Sequence, residues 1–481
     1  MFNKVNAAAG SIREAVNPLW HKAAALALVV GSTAALGLAP PSSIGADGVG
    51  DPYFPQDGNG GYDVSRYDVK VSYDPAKPDS FAGDTTVHAS AKQDLDRFNL
   101  DLEDFTVSSV AVNGVPAREV ARAGAHELVI TPASRVRRGS VFAVRVVYSG
   151  KPAGASWHKL QGGGVDVTGE PHSATAWFPL NDHPSDKAAL HLEATVPAEW
   201  TVIGNGLPGP TTERDGLKTF RWNEDHPIVS YATTMAIDKF TVHTSKLADG
   251  TPVINAYGQN TTYLPDSEAL VPKIMAFLTK TFGPYPFDST GSIVVAPEAT
   301  EGSLALETQT RPTYDGAFFD ASAVHELAHQ WFGDSVSFSD WRDGCLAECF
   351  AQYTGQLWDE AENGADLDKS YREIVASHVG DAAYWAVPIY DPGKDRPLDY
   401  ALYDRGALML HALRRTIGDA KFFGLLRHWT AAHRYGNASW PDFERLAAHD
   451  AGQDLSGFFR AWAHSSVIPP EPYLHPGPLN G

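Results

Sequence analysis

Strand-like alternation dominates the first half of the chain, and helical periodicity the second. Tyr67, Val69, Val71 and Tyr73 alternate with Asp68, Lys70 and Ser72, which puts the larger apolar side chains on one face of a strand. Similar β-like runs stand at 85–89, 105–112, 127–130, 141–147 and 190–196, and Asn113-Gly114 and Asp249-Gly250 are turn signals that break or follow such runs. No helical period of any length precedes residue 263 or so, and 62–242 therefore reads as an all-β domain. Residues 266–282 (DSEALVPKIMAFLTKTF) then carry an amphipathic helical pattern, stopped by Gly283-Pro284-Tyr285-Pro286. Residues 292–295 and 304–308 read as strands. A helix is predicted from near Asp320 to near Gly333, with others at 346–360, 366–378, 405–417, 420–434 and 441–450. The stretch 243–481 is thus expected to be mainly helical with a small sheet. No repeat of 20–50 residues is visible.

Composition alters this picture mainly at the N-terminus. With 481 residues, 43% of them hydrophobic and 20% charged, the chain has the make-up of an ordinary globular protein of two to four domains. Lys4, Arg13 and Lys22 precede the uncharged run 23–39, and the small residues Ile44-Gly45-Ala46 follow it. Residues 1–46 accordingly read as a cleaved export signal. An uncleaved membrane anchor is the alternative, but the run is short and rich in Ala and Gly. Residues 47–61 read as a polar Gly/Pro leader, and the expected location is extracellular. The formal charge of −20 becomes −22 once 1–46 and its three basic and one acidic residues are removed. Such a surface repels nucleic acid and anionic lipid. Neither nucleic acid nor a stable membrane attachment is expected as a partner, and a monomer is the working reading. The two cysteines, Cys345 and Cys349, could pair in an oxidising compartment, although a bridge between residues four apart on one helix is awkward.

The candidate chemistry centres on His325-Glu326-Leu327-Ala328-His329. In a helix, i and i+4 share a face, so His325 and His329 can address one metal ion while Glu326 reaches a water beside it. Two histidines on a polar helix face is the plainer reading. Eighteen residues on, Glu348 sits among the apolar and small residues of CLAECFAQY. A carboxylate buried there needs a cation. His325, His329 and Glu348 would make a three-ligand zinc set with one open position, one Zn2+ per chain.

The stretch HELAHQWFGDSVSFSDWRDGCLAECFAQY resembles the zinc-binding segment of the aminopeptidase N family of zinc metallopeptidases, in which H-E-x-x-H is followed after 18 residues by Glu. FGPYPF (282–287), WFPLNDHPSDKA (177–188) and YDRGALML (403–410) resemble further family segments, so similarity runs from about residue 60 to 470. The resemblance implies a saddle-like N-terminal β domain, then a thermolysin-like α+β catalytic domain, without the large C-terminal helical domain of many relatives. It implies zinc on His325, His329 and Glu348, Glu326 as general base and Tyr403 as oxyanion donor, with Tyr400 the fallback. It further implies that Glu307 and Glu170 bind the free α-amine of a peptide substrate. The expected function is removal of N-terminal residues from peptides. Two departures stand out: Leu304 replaces the Gly, and Thr308 the Asn, of the family's G-x-M-E-N motif, and Cys349 replaces the usual Gly after the zinc Glu. Leu304 and the short C-terminus make a thermolysin-like endopeptidase the alternative. A catalytically silent peptide-binding relative is the third reading.

Overall fold

The computed structural model describes residues 43–480 except 155, 300–304 and 319. Of the expected signal segment 1–46 only residues 43–46 are described, and Leu304 lies outside the described residues. The predicted alternation is realised as a nine-stranded sheet. Its core runs in the order Leu217–Ile228, Ala188–Pro197, Tyr62–Tyr73, Phe81–Ala91, Val141–Gly150, Thr106–Val112. Tyr62–Tyr73 and Ala188–Pro197 pair in parallel, from Arg66 opposite Ala189 to Ser72 opposite Thr195. In Phe81–Ala91 and Ala188–Pro197 every second side chain is buried, as expected when one face of a sheet covers a core. Each Val or Leu so buried contributes roughly 1.5–3 kcal/mol. A three-stranded sheet (Phe98–Asp101, Glu119–Ala123, Glu127–Thr131) and a four-stranded one built around Val165–Val167 complete this part.

The β-to-helix change falls close to where the sequence pattern places it. The hairpin Thr241–Lys246 and Pro252–Tyr257 joins Thr290–Val295, Thr313–Asp315 and Ala305–Leu306 in a five-stranded sheet, with Ala305–Leu306 at its edge. Helices follow at Pro265–Phe282, Asp320–His329, Cys345–Asn363, Leu367–His378, Tyr400–Ile417, Asp419–Ala432 and Trp440–Ala451. The short helices Ala382–Trp385, Ser456–Trp462 and Glu471–Leu474 are too brief to leave a periodic signal. Among the described residues no helix is long and apolar enough to cross a membrane.

Residues 47–61 are part of the fold and not a free leader, because their polar groups serve as buried hydrogen-bond partners. Asp51 Oδ2 accepts from the Trp341 N–H at 2.9 Å and lies 3.1 Å from His183 Nε2, and the Tyr53 hydroxyl donates to Asp391. Burial pushes Asp51 up, but the His183 contact and the three backbone N–H donors around it outweigh this and hold its pKa at about 2. A second tie is fully buried Arg311, whose Nη1 donates to the Gly204 carbonyl at 2.6 Å and whose guanidinium lies 4.7 Å over Trp222. Asn205 Nδ2 donates to Gln309 O at 2.8 Å. The chain just after Glu307 is thereby anchored to the N-terminal sheets, which fixes Glu307 relative to Glu170.

Candidate metal centre

Helix Asp320–His329 carries both histidines on one face, and the chain from 330 to 344 turns back to start helix Cys345–Asn363. Glu348 lies in the first turn of that helix, its N–H bonded to Gly344 O. The His325 and His329 Nε2 atoms are 3.1 Å apart, and Glu348 Oε2 is 3.5 and 3.6 Å from them. A tetrahedral zinc with bonds of about 2.0–2.1 Å has ligand-to-ligand edges of roughly 3.3–3.4 Å. The trio therefore fits one zinc ion. The Nδ1–H of His329 donates to Phe332 O at 3.0 Å, which leaves Nε2 as the free lone pair facing the other two ligands. Gly333, at φ +123°, makes room behind this ring: a Cβ there would lie 3.2 Å from His329 Nδ1.

The electrostatics call for a cation. Burial alone would lower the His329 pKa, but Glu307, Glu348 and Glu326 raise it well above the ordinary value. Burial likewise pushes Glu348 up, yet His329 and His325 hold it well below the carboxylate range. Glu326 is pushed well above that range by burial, opposed in part by His329. A metal ion bound by the trio would supply the positive charge that these carboxylates surround.

The remaining predicted residues converge on the same cleft, about 920 Å³ in volume. Carboxylate oxygens of Glu170, Glu307 and Glu348 all lie within 4.8 Å of one another. Glu307 is 3% exposed, and among the described residues its Oε1 has no hydrogen-bond partner. Glu170 sits in a turn after Gly169, where a Cβ would come within 3.0 Å of the Tyr231 backbone. Ala305 and Glu307 line the cleft from the edge strand and the residue just beyond it. Tyr403 lines it from helix Tyr400–Ile417, its ring stacked 6.1 Å from that of His325. Burial, together with the charges of Glu348 and Glu170, raises its pKa and so keeps the hydroxyl a proton donor. Tyr400 is 72% exposed and does not line the cleft.

Two findings go beyond the sequence reading. Gln352 lines the cleft beside His325, whose pKa burial lowers and Gln352 helps to raise; it lies one helical turn after Glu348, and that i+4 spacing is the signal that could have found it. Cys345 and Cys349 form a disulfide within the helix that carries Glu348. Neither sulfur is a free thiol, so neither can join the zinc ligands. Cys349 packs against Gly406, where a Cβ would collide with its sulfur.

The model described as "Peptidase M1 N-terminal domain" matches residues 64–232, and that described as "Peptidase family M1 domain" matches 272–462. A solved M1 zinc metallopeptidase from Deinococcus radiodurans is 30% identical with a TM-score of 0.80, covering 88% of this chain and 99% of that one. A form of that enzyme bound to a Tyr-Ser-Ala substrate aligns at 29% identity and a TM-score of 0.79. Aminopeptidase N of Streptomyces lividans is 26% identical over 326 residues, which is 60% of this chain and 37% of that protein. The chain spans between about a fifth and a half of the length of the curated relatives it matches.

Proposed function

Because the chain belongs to peptidase family M1, the aminopeptidase N family of zinc metallopeptidases, we propose that it is an exported aminopeptidase that cleaves the first bond of peptides with a free N-terminus. The observation that carries this reading is the convergence of Glu170 and Glu307 beside the metal trio, within 4.8 Å of each other and of Glu348. Two carboxylates beside a buried metal centre form a site for a substrate ammonium, to which each can accept a charge-assisted hydrogen bond. Bound there, the α-amine places the first peptide bond at His325, His329 and Glu348.

Zinc held by these three residues supplies Lewis-acid polarisation of a carbonyl and activation of a water. Glu326, buried and within 4.8 Å of Glu307 and His329, takes a proton from the attacking water and returns it to the leaving amine. The Tyr403 hydroxyl donates to the oxygen on which charge develops. Export is supported by the charged-then-apolar N-terminal sequence and by the Cys345–Cys349 disulfide, which suits an oxidising compartment.

The test is zinc content together with hydrolysis of aminoacyl chromogenic amides by the purified chain. One zinc per chain with turnover of unblocked amides is expected. Turnover of blocked internal bonds at comparable rates would replace this reading by a thermolysin-like endopeptidase.

A further inference from the structure

A second group of metal-type ligands is buried in the N-terminal β domain, and none of its members lines the cleft of the zinc trio. Asp101 ends strand Phe98–Asp101, and Glu127 begins strand Glu127–Thr131. The two are register partners in an antiparallel ladder, so their side chains share a face. His126 immediately precedes Glu127. Asp101, His126 and Glu127 present ligand atoms that all lie within 4.8 Å of one another. His126 Nε2 is also 3.3 Å from the Gln56 carbonyl oxygen, 3.8 Å from Asp101 Oδ1 and 3.9 Å from Asp57 Oδ1.

What points to a ligand is the set of acceptors with no donor. Glu127 is 7% exposed, yet among the described residues neither of its carboxylate oxygens has a hydrogen-bond partner of normal length. Asn59 Oδ1 and Asn99 Oδ1 are likewise buried without a donor among the described residues. Their amide nitrogens are directed at Asp101 Oδ1, 2.7 Å away, and Asp47 Oδ1, 2.8 Å away. Both asparagines stand beside Glu127, near enough for their amides to offset part of the upward push of burial on its carboxyl, though neither makes a hydrogen bond of normal length to it. Among the described residues no Lys or Arg forms an ion pair with Asp101 or Glu127. A proton shared by the two carboxyls would serve one or two of these oxygens. A divalent cation engages several at once.

We infer that Asp101, His126 and Glu127, with oxygens from Asp57, Asn59 and Asn99 nearby, form a second, structural site for one divalent cation. One imidazole nitrogen among carboxylate and amide oxygens suits Mn2+ or Zn2+ better than Ca2+, which takes oxygen ligands. The bound ion would tie Asp57 and Asn59 of the N-terminal segment to the three-stranded sheet. Burial raises the Asp101 pKa well above its ordinary value and Glu127 to about 7, the strain that a cation in this position removes.

The test is a metal count on the full chain, dialysed separately against MnCl2, ZnCl2 and CaCl2. Two equivalents are expected with Mn2+ or Zn2+, along with a thermal midpoint several degrees above that of the chain carrying the cleft metal alone. The double variant His126→Ala/Glu127→Gln should lose one equivalent and the thermal shift while keeping its activity on chromogenic amides. A crystal soaked in MnCl2 gives a readout that needs no variant: an anomalous peak among Asp101, His126 and Glu127. A single equivalent with all three cations, retention of the second equivalent by the double variant, or an anomalous peak only at the cleft would each overturn the assignment and leave a proton-sharing carboxyl pair.

Discussion

Glu307→Gln removes one charge from the proposed amine site while preserving side-chain volume, and Glu307 lies outside the zinc trio. The buried carboxylate has an oxygen with no hydrogen-bond partner among the described residues and sits within 4.8 Å of Glu170. A substrate ammonium is the donor this arrangement lacks. A hydrogen bond to a charged group is worth about 1.5–3 kcal/mol, which corresponds to a roughly 10- to 150-fold loss in kcat/KM at about 1.4 kcal/mol per tenfold. Part of the loss should fall on KM, since the ammonium is bound before and during reaction. Steady-state kinetics with leucine p-nitroanilide, alongside zinc content by atomic absorption, provide the assay. The expected variant holds a full equivalent of zinc and is at least tenfold impaired. Unchanged kcat/KM with zinc retained would remove Glu307 from substrate binding.

Three further outcomes are expected. Glu326→Gln should retain zinc, measured by atomic absorption, and lose about 10³-fold in turnover; residual activity within tenfold of wild type would contradict its role as base. Tyr403→Phe should lower kcat by about 10²-fold, the scale of one oxyanion donor, whereas exposed Tyr400→Phe should match wild type. The stability of the chain should also fall with rising pH through Asp166, whose carboxyl is held up at about 8 by burial and by Asp315. The folded state keeps a proton that the unfolded state releases near pH 4. The resulting stability is complete below that value and lost as pH passes 8. Thermal midpoints between pH 5 and 9 should therefore decline, and Asp166→Asn should flatten the decline; an equal slope in the variant would remove Asp166 as its source.

The legible parts of this chain were those with a short-range signal. Strand alternation is visible in Tyr67–Tyr73 because one face of that strand is buried and the other partly exposed. The zinc trio was legible because i, i+4 spacing and one gap define it. Glu170 and Glu307 were legible only through resemblance to relatives. They meet across the boundary between two sheets, held by Arg311, Asn205 and Gln309, and no local pattern encodes that. The segment 47–61 reads as linker because it is rich in Gly, Pro and Asp, whereas Asp51 and Asn59 are buried hydrogen-bond partners. Spacing alone argues against the Cys345–Cys349 bridge that the helix contains.

With Glu170 and Glu307 as the proposed amine site, cleavage should depend on a free α-amine. Mass spectrometry of the products from one peptide, offered with its N-terminus free and with it acetylated, tests this directly. Stepwise loss of N-terminal residues from the free peptide, with the acetylated one left intact, is the predicted result. Equal cleavage of both, or fragments cut from the middle of the acetylated peptide, would contradict it.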